Sequence, residues 1–250
     1  MRTIQELNSL ALRTRRMWNE DSYSPIDIFA LVNSWKEKRI TVIKYPMSSR
    51  ISGICTRESE DIIICINSAI SYGRQRFTLA HELYHMLYQK DIQTVVCDMS
   101  INGDKSESEL EADRFAGYLL MPYDALLEYE HCKSEWSLEK IIDAEQFFQI
   151  SHQAMIYRLL CDNLIDREAA EEYKAVRVAA AAARRGYGRE LYMPTDRSRQ
   201  YFTTGEYIRK VESIASKDLI SEGKKEELLL EAYRADIVYD FDGEEAEPND

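Results

Sequence analysis

Apolar residues recur at helical spacing along most of the chain, and the elements can be read from that pattern. Ile4, Leu7, Leu10 and Ala11 mark an amphipathic first helix over 3–18. A polar stretch from Asn19 to Ser24 runs into Pro25, which suits the start of a second helix, roughly 26–38, burying Phe29, Val32 and Trp35. The pattern then becomes β-like in three runs, ITVIKY (40–45), ISGICTR (51–57) and DIIICIN (61–67). Pro46, Ser48 and Ser49, then Glu58, Ser59 and Glu60, separate them, which predicts a small antiparallel three-stranded meander. Helical spacing returns from Arg74 to Gln89, with Phe77, Ala80, Leu83, Tyr84, Leu87 and Tyr88 on the apolar side. A loop around Asn102 and Gly103 precedes another helix, about 106–120, that buries Leu110, Phe115, Ala116, Leu119 and Leu120 and is closed by Met121-Pro122.

Residues 136–165 read as helix, tight turn, helix, with Ser151 as N-cap of the second. An alanine-rich helix (about 168–185) ends at Gly186, an arginine-rich stretch reaches Arg199, and two helices follow around 205–216 and 221–235. The expected class is α+β and mainly helical. Four units are expected: a core of helices and a small sheet over 1–125, a helix-turn-helix-like lobe over 134–173, a helical C-terminal extension over 174–239 and a disordered acidic tail over 240–250.

Composition narrows the function classes. The chain has 250 residues and a net charge of −12, so no general positive field draws it to nucleic acid. The tail supplies six acids and no base, which accounts for half of that charge. No apolar run approaches the eighteen or so residues of a membrane span, and the N-terminus lacks the apolar core and cleavage site of an export signal. The expected place is the cytoplasm. Five cysteines (Cys55, Cys65, Cys97, Cys132, Cys161) are scattered without a C-x-x-C pair, the pattern of small buried hydrophobes in a reducing compartment.

One cluster carries chemistry. His81 and His85, in His81-Glu82-Leu83-Tyr84-His85, lie four apart on a helix and project from one face, close enough to share a metal ion. Glu82 lies about 100° around the axis, beside such an ion rather than facing it, where a general base takes a proton from an activated water. Neutral imidazoles suit zinc, one ion per chain. Chance alone places this pattern in fewer than about one in a hundred chains of this composition. A third ligand must come from another element. On the next helix Glu109 and Asp113 share a face, with Ala112 and Ala116 leaving room for close approach. Glu109 is therefore the expected ligand, and Asp113 the acid that hydrogen-bonds the far nitrogen of a ligating histidine, His81 first. Glu111 ranks lower as ligand because Phe115 stands four residues on, and Glu107 and Glu111 are expected to be solvated.

Three segments together resemble the ImmA/IrrE family of metallo-endopeptidases: Arg74-Gln75-Arg76-Phe77-Thr78-Leu79-Ala80-His81-Glu82-Leu83-Tyr84-His85, Glu109-Leu110-Glu111-Ala112-Asp113-Arg114-Phe115-Ala116 and Leu119-Leu120-Met121-Pro122. The likeness reaches from the strand before the first segment to Ile150-Ser151 and Tyr157-Arg158-Leu159, about residues 20–165. It implies a zincin-like fold from bacteria or their mobile elements, with His81, His85 and Glu109 as zinc ligands, Glu82 as catalytic acid/base and Asp113 as the orienting acid. It further implies site-specific cleavage of a helix-turn-helix repressor or antitoxin in a stress-response or mobile-element system. Tyr84 stands where the family often has a small residue, which bears on groove shape.

Amide hydrolysis needs a donor for the oxyanion besides the metal, and Tyr157, Arg158, His131 and His152 are the candidates. Strand 61–67 is a candidate sheet edge for an extended substrate. Two rival readings stand against the peptidase. A DNA-binding module is disfavoured because residues 134–173 carry a net charge of −6. A non-proteolytic partner-binding protein with a structural zinc would use the basic run Arg177, Arg184, Arg185, Arg189, Arg197 and Arg199.

Overall fold

The computed structural model describes residues 1–89, 94–98, 106–130 and 136–239. Helix α1 (Ile4–Met17) opens on a capping box in which Thr3 Oγ1 accepts from the Glu6 amide and the Glu6 carboxylate accepts from the Thr3 amide. Leu7 and Ala11 are buried while Ile4 is 44% exposed, so the apolar stripe is narrower than its spacing suggests. Fully buried Arg15 donates to the carbonyls of Asp21, Ser24 and Leu119. It thereby fixes the loop after α1. Helix α2 (Ile28–Ser34) is capped by Asp27 rather than begun at Pro25, and it ends at buried Trp35 before a short 3-10 turn, Lys36–Lys38.

The three expected strands form, as β1 (Ile40–Tyr45), β2 (Ile51–Glu58) and β3 (Asp61–Asn67), but they are not a meander. With β4 (Thr94–Asp98) and β5 (Phe202–Gly205) they make a five-stranded mixed sheet in the order β4-β2-β3-β1-β5. β1 and β3 are parallel, with Ile40 opposite Ile62 and Tyr45 opposite Asn67, while β2 and β3 are antiparallel. The most apolar run takes an inner place, where Ile62, Ile64 and Ile66 are buried. It therefore cannot be the edge that receives a substrate. Buried Asn67 holds the β1–β2 crossing in place: its amide group donates to the Ser48 and Ile51 carbonyls and its oxygen accepts from the Met47 amide. Gly205 closes the far edge with φ at +93°, and a Cβ there would stand 2.3 Å from the Ile40 carbonyl oxygen. The C-terminal stretch is thus not helical throughout, since it supplies β5.

Helix α3 (Tyr72–Tyr88) lies on the sheet, and α4 (Glu107–Leu120) packs against both α3 and α1 through buried Ala112, Phe115 and Ala116. After α5 (Tyr123–Glu130), a pair of helices, α6 (Leu138–Phe148) and α7 (His152–Cys161), is joined by a tight turn with Gln149 left-handed and Ser151 capping Ala154. The alanine-rich segment forms two helices, α8 (Arg167–Lys174) and α9 (Val178–Arg184), not one. α8 packs on α7 and α9 on α6, so docking on two different helices outweighs the propensity for a single rod. Helices α10 (Glu206–Ala215), α11 (Glu222–Glu231) and α12 (Ala235–Tyr239) are the last described elements, and the expected disordered tail lies outside the described residues. Among the described residues no helix is long and apolar enough to cross a membrane.

Candidate metal centre

α3 is pinned before it presents any chemistry. Buried Arg76 donates to the carbonyls of Gln149 and Ile26. Gln75 donates to the Ser68 and Ile70 carbonyls and accepts from the Thr195 hydroxyl, while the Tyr72 amide donates to the Met193 carbonyl. One turn further on, His81, Glu82 and His85 are all buried. A run of buried polar groups in mid-helix carries a desolvation penalty that partners must offset. The partners come from α4.

His81 Nε2 and His85 Nε2 stand 3.1 Å apart, and the two oxygens of Glu109 lie 3.2 Å from the first and 3.3 Å from the second. Two nitrogen or oxygen ligands about 2.0 Å from a tetrahedral centre lie about 3.3 Å apart. The three separations are therefore near that edge length, with a different Glu109 oxygen turned toward each histidine. The remaining ring nitrogens are occupied: His81 Nδ1 donates to Asp113 Oδ1 at 2.9 Å, and His85 Nδ1 to Gln89 Oε1 at 2.6 Å. Gln89 in turn donates to Ser108 Oγ at 2.7 Å, tying the end of α3 to α4. Both Nε2 atoms are thus left to face each other and Glu109, the arrangement expected of ligating histidines. Without a cation, protons must hold these groups together. Burial disfavours the His81 imidazolium, yet Asp113 and Glu109 outweigh it and push its pKa up to about 10. Burial likewise raises Glu109, but its bonds to His81 and His85 prevail and hold it below the usual carboxylate range. The donor set, its spacing and this excess of negative charge fit a divalent cation.

The sheet brings two further groups. Both carboxylate oxygens of Glu82 are buried without a hydrogen-bond partner. Room for them exists because β2 has Gly53 there: a Cβ would stand 2.9 Å from Glu82 Oε1 and 2.6 Å from Thr78 Cγ2. Opposite Gly53 on β4 is Cys97, whose Sγ lies within 4.8 Å of the ligand atoms of His81, His85 and Glu109. The β2–β4 pairing slips between Ile51 and Gly53, and Ser52 Oγ donates to the Cys97 carbonyl at this bulge. Bulges re-aim neighbouring side chains in this way. Burial, then the Glu82 charge, pushes the Cys97 thiol far up.

The sequence profile of the peptidase M78 family, the IrrE N-terminal-like domain, matches residues 36–160. The chain belongs to this metallopeptidase family. No curated protein matches the chain. The matched span runs from the turn before β1 to the end of α7, so it contains His81, His85 and Glu109 together with Glu82, Asp113 and Cys97.

The M78 core treats the other candidates differently. Glu107 is solvated and pairs with the Met1 amino group, whereas Glu111 is only 8% exposed and accepts from the Tyr84 hydroxyl and from Arg2. The expectation that Glu111 is solvated fails because it covers the buried Tyr84 hydroxyl. Tyr84 itself packs on Tyr88 and Phe115 between α3 and α4, so it fills the core and shapes no groove. Arg158 donates to the Gly117 and Met121 carbonyls and to Asp162, and its guanidinium lies 4.1 Å above the Tyr118 ring. His152 is paired with buried Glu145 at 2.6 Å. Tyr157 is half-buried beside Cys161 and in the field of Asp113. His131 lies outside the described residues. Sequence reasoning missed Gln89, although it stands four residues after His85 on the ligand face, and Cys97, which no spacing rule marks.

Proposed function

We propose that this M78 metallopeptidase is a zinc-dependent endopeptidase that cuts one specific protein, a helix-turn-helix repressor or antitoxin. The observation that carries the hydrolytic part is the Glu82 carboxylate, buried with no nitrogen or oxygen partner and within the field of His81 and Cys97. A buried charge with no hydrogen bond is costly, and stability alone gives no reason to keep it. His81, His85 and Glu109 would hold the ion. When bound, zinc supplies Lewis-acid polarisation of the scissile carbonyl and lowers the pKa of water to about 7. Glu82 takes the proton of the attacking water and returns it to the leaving amine nitrogen. Asp113 and Gln89 keep the two imidazoles in the orientation the ion needs. With Arg158 and His152 committed to packing, Tyr157 is the candidate donor to the oxyanion.

Among the described residues β4 ends the sheet on the side of the site, so an extended substrate would add there as the next strand. The α6–α7 pair, with the net −6 of residues 134–173, suits docking of a protein partner better than of DNA. A second reading, a non-proteolytic regulator with a structural zinc, draws on Cys97, since four protein ligands are the mark of a structural site. Co-incubation of the protein with a helix-turn-helix repressor encoded beside it, followed by electrophoresis and mass spectrometry, tests the proposal. Cleavage that disappears in Glu82→Gln while zinc content stays near one per chain is the expected result. Equal cleavage by Glu82→Gln would refute the assigned chemistry, and an intact repressor would refute the substrate class.

A further inference from the structure

His81, His85 and Glu109 occupy three corners of a tetrahedron, and catalysis by such a site needs the fourth left to water. The structure brings a fourth potential ligand close to these three. Cys97 is buried, and its Sγ is no more than 4.8 Å from any of the three other ligand atoms. A sulfur about 2.3 Å from the ion would stand about 3.5 Å from nitrogen or oxygen ligands about 2.0 Å from it. Closing the difference takes little more than about 1 Å, a shift that an end strand of the sheet held by an irregular pairing can absorb. Glu82, fully buried with both oxygens unpartnered, points to the same space from α3, and Gly53 keeps β2 out of it. Thiolate is also the donor that best favours zinc over harder divalent ions.

We propose that Cys97 is the fourth zinc ligand of the resting protein, closing the site until β4 moves. The inference rests on the reading of His81, His85 and Glu109 as zinc ligands. Sulfur binds as the thiolate, and its proton is released to solvent on metal uptake. Because β4 is the strand to which an extended substrate would add, the residue that blocks the ion and the edge that receives the substrate are one segment. The resting enzyme is then silent toward peptides that cannot pair with β4.

X-ray absorption on the zinc-loaded full-length protein tests this without a cleavage assay. One sulfur at about 2.3 Å among nitrogen and oxygen scatterers is the expected first shell. Cobalt substitution gives a second measurement: the wild type should show the near-ultraviolet thiolate-to-cobalt charge-transfer band, and Cys97→Ser should lose it. Cys97→Ser should also bind zinc at least about tenfold more weakly, the lower end of what losing a mere supporting residue costs. A nitrogen/oxygen-only shell, or a charge-transfer band unchanged in Cys97→Ser, would overturn the proposal while leaving the three-ligand site intact. No zinc or cobalt uptake at all would overturn both.

Discussion

Asp113→Ala should weaken zinc binding by one to two orders of magnitude and leave the fold intact. His81 can offer Nε2 to a cation only if Nδ1 carries the ring proton, and Asp113 Oδ1, 2.9 Å away, is where that proton goes. The contact is shielded, with the Asp113 side chain 13% exposed and His81 buried. Alanine leaves a buried donor unsatisfied, at a cost of about 1–3 kcal/mol, or about 5- to 150-fold in affinity. The charge of Asp113 acts differently. In the metal-free protein it helps hold His81 protonated, with a pKa of about 10, and it would favour the cation as much as it favours that proton. Its effect on the exchange of one for the other largely cancels. Asp113→Asn, which keeps an accepting oxygen, should therefore lose less than about tenfold. Competition with a chromophoric chelator at fixed pH measures both constants, and thermal unfolding of the metal-free variants checks that each is folded. Wild-type affinity in Asp113→Ala, or an equal loss in both variants, would refute the orienting role.

Two other perturbations follow from the same structure. Gly53→Ala forces a Cβ to 2.6 Å from Thr78 Cγ2 and 2.9 Å from Glu82 Oε1, so it should cost about 1–3 kcal/mol of stability, a fall of about 2–12 °C in Tm. An unchanged melting curve would mean that β2 has slack the structure does not show. Away from the metal, burial opposes the His152 imidazolium but Glu145 holds its pKa up, and burial raises that of Glu145 itself. Both raised values mean the folded state binds more protons than the unfolded one. The Glu145 part is therefore full only below its ordinary value of 4.5 and the His152 part below 6.5, and each is lost as pH rises through the folded value. Glu145→Gln should flatten the decline of Tm above pH 6.5 relative to wild type, and parallel curves would refute the linkage.

Much of the helical fold was legible because each helix carries its own period and stop signals. The cap at Ser151 is visible as a serine before an apolar run, and the helices over 3–18, 106–120 and 136–165 follow the predicted spans to within a few residues, with Thr3, Ser106 and Ser137 found as further caps in the structure. Strand pairing was not legible in the same way. Alternation tells which residues form β1, β2 and β3, but their order depends on Asn67, which binds the crossing segment through three hydrogen bonds that no local pattern foretells. β5 was invisible for a related reason: a four-residue strand, Phe-Thr-Thr-Gly, is too short for periodicity and forms only because β1 has an edge to fill.

The metal site divides along the same line. His81, Glu82 and His85 sit on one helix, so fixed helical geometry brings them together whatever surrounds them. Glu109 and Asp113 are a second such pair, and the only inference needed was that α3 and α4 touch, which buried Ala112 and Ala116 permit. Gly53 and Cys97 face the site from the sheet, and there the reasoning from spacing has no purchase. Which residue of a strand faces a helix depends on register, and a single bulge at Ser52 changes it. The candidate ligands were thus readable from sequence because they belong to helices. The residues that shape the space around them belong to strands, and they had to be seen in the folded chain. The same division explains why a cysteine that spacing alone assigns to the core stands within 4.8 Å of the ligand atoms of His81, His85 and Glu109.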